Sequence, residues 1–184
     1  MPQLIVISDI YDGPEPDGCF SKLIAAKFGW TIKRIKLADL AGKEQLIGEA
    51  LHEHLVQRTG FKRAARSLAK ITTPEDVVLG YSAGGTVGYL SAEINSSFAG
   101  LICISSTRLR EQNSAALEIP CMAIFGENDP GAPAAKWSRA SHLTRIDLPS
   151  QAHAFYAIAD EGWDQAYAHI EQFISNIILK SARG

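Results

Sequence analysis

The chain has 184 residues, of which 46% are hydrophobic and 21% are charged, a balance typical of one folded domain and not of a disordered, fibrous or membrane protein. Its 18 basic and 20 acidic residues give a formal net charge of −2, so no global field favours nucleic acid or an anionic membrane surface. We therefore expect a single domain over residues 1–184 and a small-molecule partner that binds at a particular site.

Short apolar runs alternate with helical patterns along the chain, which predicts βαβ units and a mostly parallel sheet with helices on both faces. The predicted fold class is α/β, a three-layer α/β/α sandwich. Six strands are predicted, at Leu4 to Ser8, Thr31 to Leu37, Asp76 to Tyr81, Leu101 to Ser105, Cys121 to Phe125 and Leu143 to Leu148. The helices are predicted at about 19–28, 44–58, 61–70, 84–95, 133–141 and 162–179.

The composition of each strand also predicts its place in the sheet. The first, third, fourth and fifth strands are continuous apolar runs and should be central, whereas the mixed second strand should lie near an edge. In the helix predicted at 44–58, an apolar stripe contains Ile47, Leu51 and Leu55. Gly60 is expected to end that helix.

Neither the amino terminus nor the cysteines indicate secretion. The apolar run Leu4-Ile5-Val6-Ile7 is too short for a signal peptide, and no segment approaches the roughly 18 apolar residues that cross a bilayer. The three cysteines have no metal-binding spacing, and Cys103 and Cys121 lie in apolar runs. We expect a cytoplasmic protein with no membrane attachment, metal or cofactor.

Two polar segments have ordinary interpretations. The acidic loop from Asp9 to Gly18 follows the first predicted strand, and since its spacing does not match an EF-hand, a solvated turn is favoured over a calcium loop. The basic residues Lys62, Arg63, Arg66 and Lys70 are interpreted as the solvated face of a helix and not as a contact with phosphate or nucleic acid.

The most informative motif is Gly80-Tyr81-Ser82-Ala83-Gly84, which matches the pattern G-x-S-x-G. A predicted strand runs directly into it and a predicted helix follows, which is the context that a nucleophile elbow requires. Ser82 in such a turn has strained backbone angles, and the two glycines let neighbouring backbone approach closely. The alternative is a phosphate-binding turn, but the segment lacks the G-x-G-x-x-G and Walker patterns.

A serine hydroxyl needs a base, and a carboxylate that orients the base, before it becomes a good nucleophile. Asp129 follows the fifth predicted strand, at the carboxyl edge of the sheet where the sites of α/β proteins are built. His153 lies in the loop after the last predicted strand and would reach the same edge. Glu127 is the nearby competitor for the role of the acid. The sequence therefore predicts a triad of Ser82, His153 and Asp129, with Glu127 as the alternative acid.

In this order, the motifs resemble those of the α/β-hydrolase superfamily, and the resemblance covers the chain from Leu4 to its last helix. The elbow matches at Ser82, the acid of a G-x-x-D pattern at Asp129 and the late H-x-F loop at His153. The resemblance implies a minimal member of the fold that lacks the family's first two strands and a lid.

The opening Ile7-Ser8-Asp9-Ile10-Tyr11 is similar to the strand and E-I-F-G-type loop of dienelactone-hydrolase-like proteins. By that likeness, the backbone N–H groups of Ile10 and Ala83 form the oxyanion hole. Those proteins typically carry a cysteine at the position that Ser82 occupies here.

The implied activity is hydrolysis of a carboxylic ester or thioester of a small acyl substrate through an acyl-enzyme on Ser82. Transfer of the acyl group to an acceptor other than water stays open, as does a non-catalytic binding role, and the fold does not specify the substrate. The short chain leaves little room for a cap between Ser82 and Asp129, so we expect an open site.

Overall fold

The structure is a computed structural model that describes residues 2–14, 20–57, 59–138, 140–157 and 161–181. Its strands are β1 (Gln3–Ile7), β2 (Thr31–Ile35), β3 (Val77–Tyr81), β4 (Gly100–Ile104), β5 (Cys121–Gly126) and β6 (Leu143–Leu148). Its helices are α1 (Ser21–Phe28), α2 (Leu37–Leu40), α3 (Gly48–Gln57), α4 (Gly60–Ala69), α5 (Ala83–Ile94) and α6 (Glu161–Ser181). Short 3-10 segments lie at Thr107–Glu111, Ala135–Ser138 and Phe155–Ala157.

The six strands found in the described residues form one sheet in the order β2-β1-β3-β4-β5-β6, and every neighbouring pair is parallel. The four apolar strands are central and the mixed strand β2 lies at an edge, as predicted. The strand order reverses between β1 and β3, which pair with Ile7 opposite Gly80. Parallel sheets bind their ligands in the crevice at such a reversal, so we expect the loops after β1 and β3 to contribute to the site.

Helices cover both faces because successive residues of the buried strands point to opposite sides. On one face, α2 to α5 pack onto a core that contains Ile5 and Val78. On the other face, α1 and α6 pack onto a core that contains Leu4 and Leu79. The predicted three-layer α/β/α sandwich is therefore confirmed.

The helix predicted at 44–58 starts later than predicted, and the glycine expected to end it belongs to the next helix. The helix begins at Gly48, whose positive φ of 61° and N–H donated to the Ile10 carbonyl at 2.7 Å fix a turn there. Gly60 does not serve as a helix end; it is the first residue of α4. A Cβ at Gly60 would lie 2.7 Å from the His54 carbonyl oxygen, so this glycine lets α4 start directly against the end of α3.

The helix predicted at 133–141 is wrong, because among the described residues only the 3-10 segment Ala135–Ser138 forms there. Arg145 of β6 donates through Nη1 to the Pro133 carbonyl at 2.6 Å. The Trp137 N–H donates to the carbonyl of Ala134, three residues back, at 2.8 Å, so the segment closes as a 3-10 turn and not as an α-helix.

The chain between Ser82 and Asp129 is described throughout and forms α5, β4, the 3-10 segment Thr107–Glu111 and β5. No cap domain is inserted in that stretch, as expected from the short chain. Cys103 and Cys121 are buried free thiols, as their apolar runs predicted, and Cys19 lies outside the described residues. Among the residues that the structure describes, no helix combines the length and apolar character needed to cross a membrane.

Candidate active site

Ser82 occupies the sharp turn between β3 and α5. Its φ of 48° and ψ of −115° lie outside the conformations that L-residues usually adopt, which is the strain that the elbow motif predicts. A Cβ at Gly80 would lie 2.5 Å from Gly85 Cα, and a Cβ at Gly84 would meet the carbonyl oxygen of Ser8. Both positions therefore require glycine so that the turn can pack against β1 and against the start of its own helix.

The structure brings Ser82, His153 and Asp129 together from three loops at the carboxyl edge of the sheet. Ser82 Oγ lies 3.2 Å from His153 Nε2, and His153 Nδ1 lies 2.7 Å from Asp129 Oδ2. With Nδ1–H donated to the carboxylate, Nε2 is left to accept the serine proton. This is the relay of contacts that a nucleophilic serine needs.

Further hydrogen bonds fix the positions of the acid, Asp129, and of the base, His153. The buried Asp129 accepts the Gly131 N–H on its second oxygen, Oδ1, at 2.9 Å. Ser105 Oγ donates to the His153 carbonyl at 2.6 Å, which ties the histidine loop to the end of β4. The positions of both side chains are therefore set by backbone contacts and by neighbouring strands.

Glu127, the alternative acid, contacts a different group. It is exposed, and its Oε2 accepts the backbone N–H of Ser150 at 3.0 Å. Ser150 has a positive φ of 60°, so Glu127 stabilises the tight turn that follows β6. The carboxylate placed against the His153 ring is that of Asp129.

The proposed oxyanion donors lie in the same cavity as Ser82 and His153, which has a volume of about 190 Å³ and is also lined by Ile10 and Ala83. Ala83 is the first residue of α5, so its N–H has no partner within the helix. The Ile10 carbonyl accepts the Gly48 N–H. The Ile10 N–H itself donates to no group within the described part of the chain. Both amides are therefore available to an anion in the cavity.

The remaining cavity wall is largely polar and is formed by Glu49, His52, Thr86, Thr107 and Arg108. Arg108 pairs with Glu111 at 2.6 Å, and its guanidinium lies 5.3 Å from the centre of the Phe61 ring. Sequence reasoning missed these residues because they come from α3, α5 and an unpredicted 3-10 segment, and no motif links them. Only the tertiary fold brings them beside Ser82.

Three aromatic residues lie in or near the acid and histidine loops, and none of them lines the cavity beside Ser82. Trp137 packs beside Tyr89 and donates its Nε1–H to the Gln112 carbonyl. Phe155 and Tyr156 are buried in the core beneath α6. All three therefore contribute to packing beneath the loops and not to the cavity wall.

The loop after β1 is held by hydrogen bonds to the buried side chain of Asp9. The sequence predicted a solvated turn over Asp9 to Gly18. Tyr11 is exposed, whereas Asp9 is buried, with 8% of its surface exposed, and residues 15–18 lie outside the described residues. Asp9 Oδ1 accepts the N–H groups of Tyr11 and Gly13, both at 2.8 Å, and its Oδ2 accepts the Tyr156 hydroxyl at 3.0 Å. Within the described residues, no group of three potential ligands is arranged to hold a metal ion.

Comparison with solved structures identifies the fold. The chain is similar to a dienelactone-hydrolase-like promiscuous phosphotriesterase from metagenomic libraries, at 12% identity and a TM-score of 0.71, over 96% of this chain and 87% of that one. It is also similar to Est1E from Butyrivibrio proteoclasticus, at 14% identity and a TM-score of 0.66, over 97% and 88% of the two chains.

A third similar structure is the RedJ thioesterase of the prodiginine pathway in Streptomyces coelicolor, at 13% identity and a TM-score of 0.61, over 93% of this chain and 89% of that one. No protein-family model matches the sequence, and a search of curated proteins finds no match. The chain has an α/β-hydrolase fold, as its motifs predicted, and at these identities the likeness extends to the fold alone.

Proposed function

We propose that this protein is a serine hydrolase that cleaves carboxylic esters or thioesters of a small acyl substrate. The observation that carries the proposal is the contact of Ser82 Oγ with His153 Nε2 and of His153 Nδ1 with Asp129. The similar structures include a dienelactone-hydrolase-like phosphotriesterase and a thioesterase, which supports hydrolysis as the reaction class.

In the proposed mechanism, His153 Nε2 takes the proton of Ser82 as its Oγ attacks the substrate carbonyl carbon. The carbonyl oxygen becomes an oxyanion and accepts hydrogen bonds from the N–H groups of Ile10 and Ala83. As the tetrahedral intermediate collapses, the bond to the alcohol or thiol breaks and Nε2 returns the proton to that leaving group. Asp129 keeps Nδ1 protonated and stabilises the imidazolium.

A water molecule then attacks the acyl-enzyme with His153 again acting as the base, which releases the acid and restores Ser82. Transfer to another acceptor uses the same acyl-enzyme, so acyltransferase activity is the second outcome that an assay must separate. Buried free thiols at Cys103 and Cys121 support a reducing cytoplasm as the location of this activity.

A fluorophosphonate probe tests the nucleophile. We expect the wild type to be labelled on Ser82 and Ser82→Ala to be unlabelled, because the probe forms a covalent bond only with an activated serine. If the wild type is not labelled, or Ser82→Ala is labelled equally well, the protein is not a Ser82-dependent hydrolase and a non-catalytic binding role for the fold is favoured.

Substrate profiling tests the size and type of the acyl group. Since the cavity beside Ser82 is small, about 190 Å³, and the rest of its wall is formed by polar residues, we expect nitrophenyl esters of short acids to be cleaved with a higher kcat/KM than esters of long acids. Acyl thioesters assayed beside them distinguish esterase from thioesterase activity. A preference for long chains would contradict the small cavity as the acyl site.

A further inference from the structure

The loop that carries the Ile10 N–H has no helix or strand of its own to hold it. Two backbone hydrogen bonds lie within it, from Asp9 N–H to the Gly13 carbonyl at 2.9 Å and from Asp12 N–H to the Asp9 carbonyl at 3.3 Å. Ser8 Oγ also donates to the Asp9 carbonyl at 3.1 Å, and the Gly48 N–H donates to the Ile10 carbonyl at 2.7 Å. The direction of the Ile10 N–H depends on these bonds and on what else fixes its two neighbours, Asp9 and Tyr11.

One carboxylate fixes both neighbours. Asp9 is itself the residue before Ile10, and its Oδ1 accepts the N–H of Tyr11, the residue after it, together with that of Gly13. A charged acceptor of two backbone N–H groups is a stronger restraint than neutral contacts provide. The Asp9 side chain thus restrains the backbone on both sides of the Ile10 N–H, in addition to the hydrogen bonds that the Asp9 carbonyl accepts from Ser8 Oγ and from the Asp12 N–H.

The other oxygen of Asp9 connects this loop to the histidine loop. Asp9 Oδ2 accepts the hydroxyl of Tyr156, which lies three residues after His153 and packs edge-on to its ring at 6.3 Å between centroids. Tyr156 is buried, and burial together with the Asp9 carboxylate raises the pKa of its hydroxyl. The hydroxyl therefore remains protonated and continues to donate in the working enzyme.

From these contacts we infer that Asp9 is a positioning residue. It holds the Ile10 N–H in the oxyanion hole and, through Tyr156, fixes the position of that hole relative to the His153 ring. The inference rests on the proposed hydrolase function. Asp9 acts as a hydrogen-bond acceptor, and its carboxylate exchanges no proton with the substrate or with Ser82.

Asp9→Ala removes the acceptor for two backbone N–H groups. We expect kcat to fall about 100-fold, the scale of losing one oxyanion donor, with KM changed less than about threefold because the interaction forms in the transition state. Asp9→Asn keeps an oxygen that accepts both N–H groups, and its NH₂ can donate to the Tyr156 hydroxyl, so we expect kcat within about tenfold of wild type.

Tyr156→Phe tests the connection to the histidine loop. It removes the donor to Asp9 Oδ2, and we expect kcat to fall about tenfold, the scale of a hydrogen bond to a charged group. In the double variant Asp9→Ala with Tyr156→Phe, we expect no loss beyond that of Asp9→Ala, because the two side chains act through one contact.

Asp76→Ala is the matched control. Asp76 is also a buried carboxylate, 3% exposed, whose Oδ2 accepts a backbone N–H, that of Thr73 at 2.7 Å. It precedes β3 at the amino edge of the sheet, opposite the cavity. We expect Asp76→Ala to lower Tm as Asp9→Ala does while kcat stays within about twofold of wild type, because it leaves the oxyanion hole intact.

The outcomes separate the inference from the function on which it rests. Absence of fluorophosphonate labelling in the wild type overturns the proposed function and this inference with it. A labelled wild type with kcat unchanged in Asp9→Ala overturns the positioning role alone. If folded Asp9→Asn loses as much kcat as Asp9→Ala, an oxygen acceptor at this position does not restore the oxyanion hole, and the positioning role assigned to Asp9 is wrong.

Discussion

At the scale of single residues, Ser82 has the strained backbone angles that its sequence motif predicts. Ser82 has φ of 48° and ψ of −115°, a conformation that glycine adopts far more readily than any residue with a Cβ. The surrounding structure holds Ser82 in this conformation, because β3 ends and α5 begins at this turn. We interpret the strain as the consequence of presenting Oγ outward at the edge of the sheet.

That strain has a measurable effect on stability. We expect Ser82→Gly to be more stable than Ser82→Ala by about 1 kcal/mol, since glycine relieves the backbone strain and loses part of the gain to its greater freedom in the unfolded chain. Urea unfolding of the two inactive variants measures the difference. Equal stability, or a more stable alanine variant, would contradict a strained elbow.

The two acidic residues after β5 differ in what they contact, and their variants should differ accordingly. We expect Asp129→Asn to lower kcat by about 10⁴, because an amide no longer holds the His153 tautomer and does not stabilise the imidazolium. Glu127→Gln keeps an oxygen for the Ser150 N–H and should retain kcat within a few-fold of wild type. Steady-state kinetics on one ester decide the assignment; a greater loss in Glu127→Gln would transfer the acid role to Glu127.

At the scale of elements, α5 packs against the sheet through glycines that differ in how well they tolerate replacement by alanine. A Cβ at Gly80 would overlap the backbone of Gly85, which cannot move without disrupting the elbow. A Cβ at Gly88 would lie 2.8 Å from the Leu101 Cδ1 atom, the end of a side chain that can change rotamer. Replacement by alanine therefore meets rigid backbone at Gly80 in β3 and a movable side chain at Gly88 in α5.

We expect Gly80→Ala to destabilise the fold by about 2 kcal/mol or more, as overpacking against backbone does. Gly88→Ala should be close to neutral, because the higher helix propensity of alanine offsets the adjustment of Leu101. Chemical denaturation measures both, and labelling of Ser82 should be impaired only by Gly80→Ala. Equal effects would show that the elbow backbone adapts and that the glycine spacing is not a requirement.

At the scale of the whole molecule, the last helix completes the layer that α1 begins. Ile174 of α6 is fully buried against the sheet, whereas Ile178, one turn later, is 38% exposed. We expect Ile174→Ala to lower the free energy of unfolding by about 2 to 5 kcal/mol through the cavity that it leaves. Ile178→Ala should lower it by less than about 1 kcal/mol, and similar losses in both would contradict this placement of α6.

The sequence by itself determined the fold class, the four central strands, the edge position of β2 and the order of elements around Ser82. These follow from local signals: continuous apolar runs predict buried parallel strands, and a G-x-S-x-G turn between strand and helix predicts an elbow. The sequence also named Ser82, His153, Asp129, Ile10 and Ala83 as candidate site residues. The structure places Ser82, His153, Ile10 and Ala83 around one cavity and Asp129 against the His153 ring, and their catalytic roles remain predictions.

Only the tertiary structure decided the contacts between distant loops. The helix predicted at 133–141 is a short 3-10 segment, Gly60 starts a helix and does not end one, and Asp9 is buried in a loop that its composition predicts to be solvated. The contact of Asp9 with Tyr156, across 147 positions of sequence, has no local pattern. Hydrophobic periodicity reports which face of an element is buried, whereas the partner of a buried polar group is set by the three-dimensional arrangement of strands.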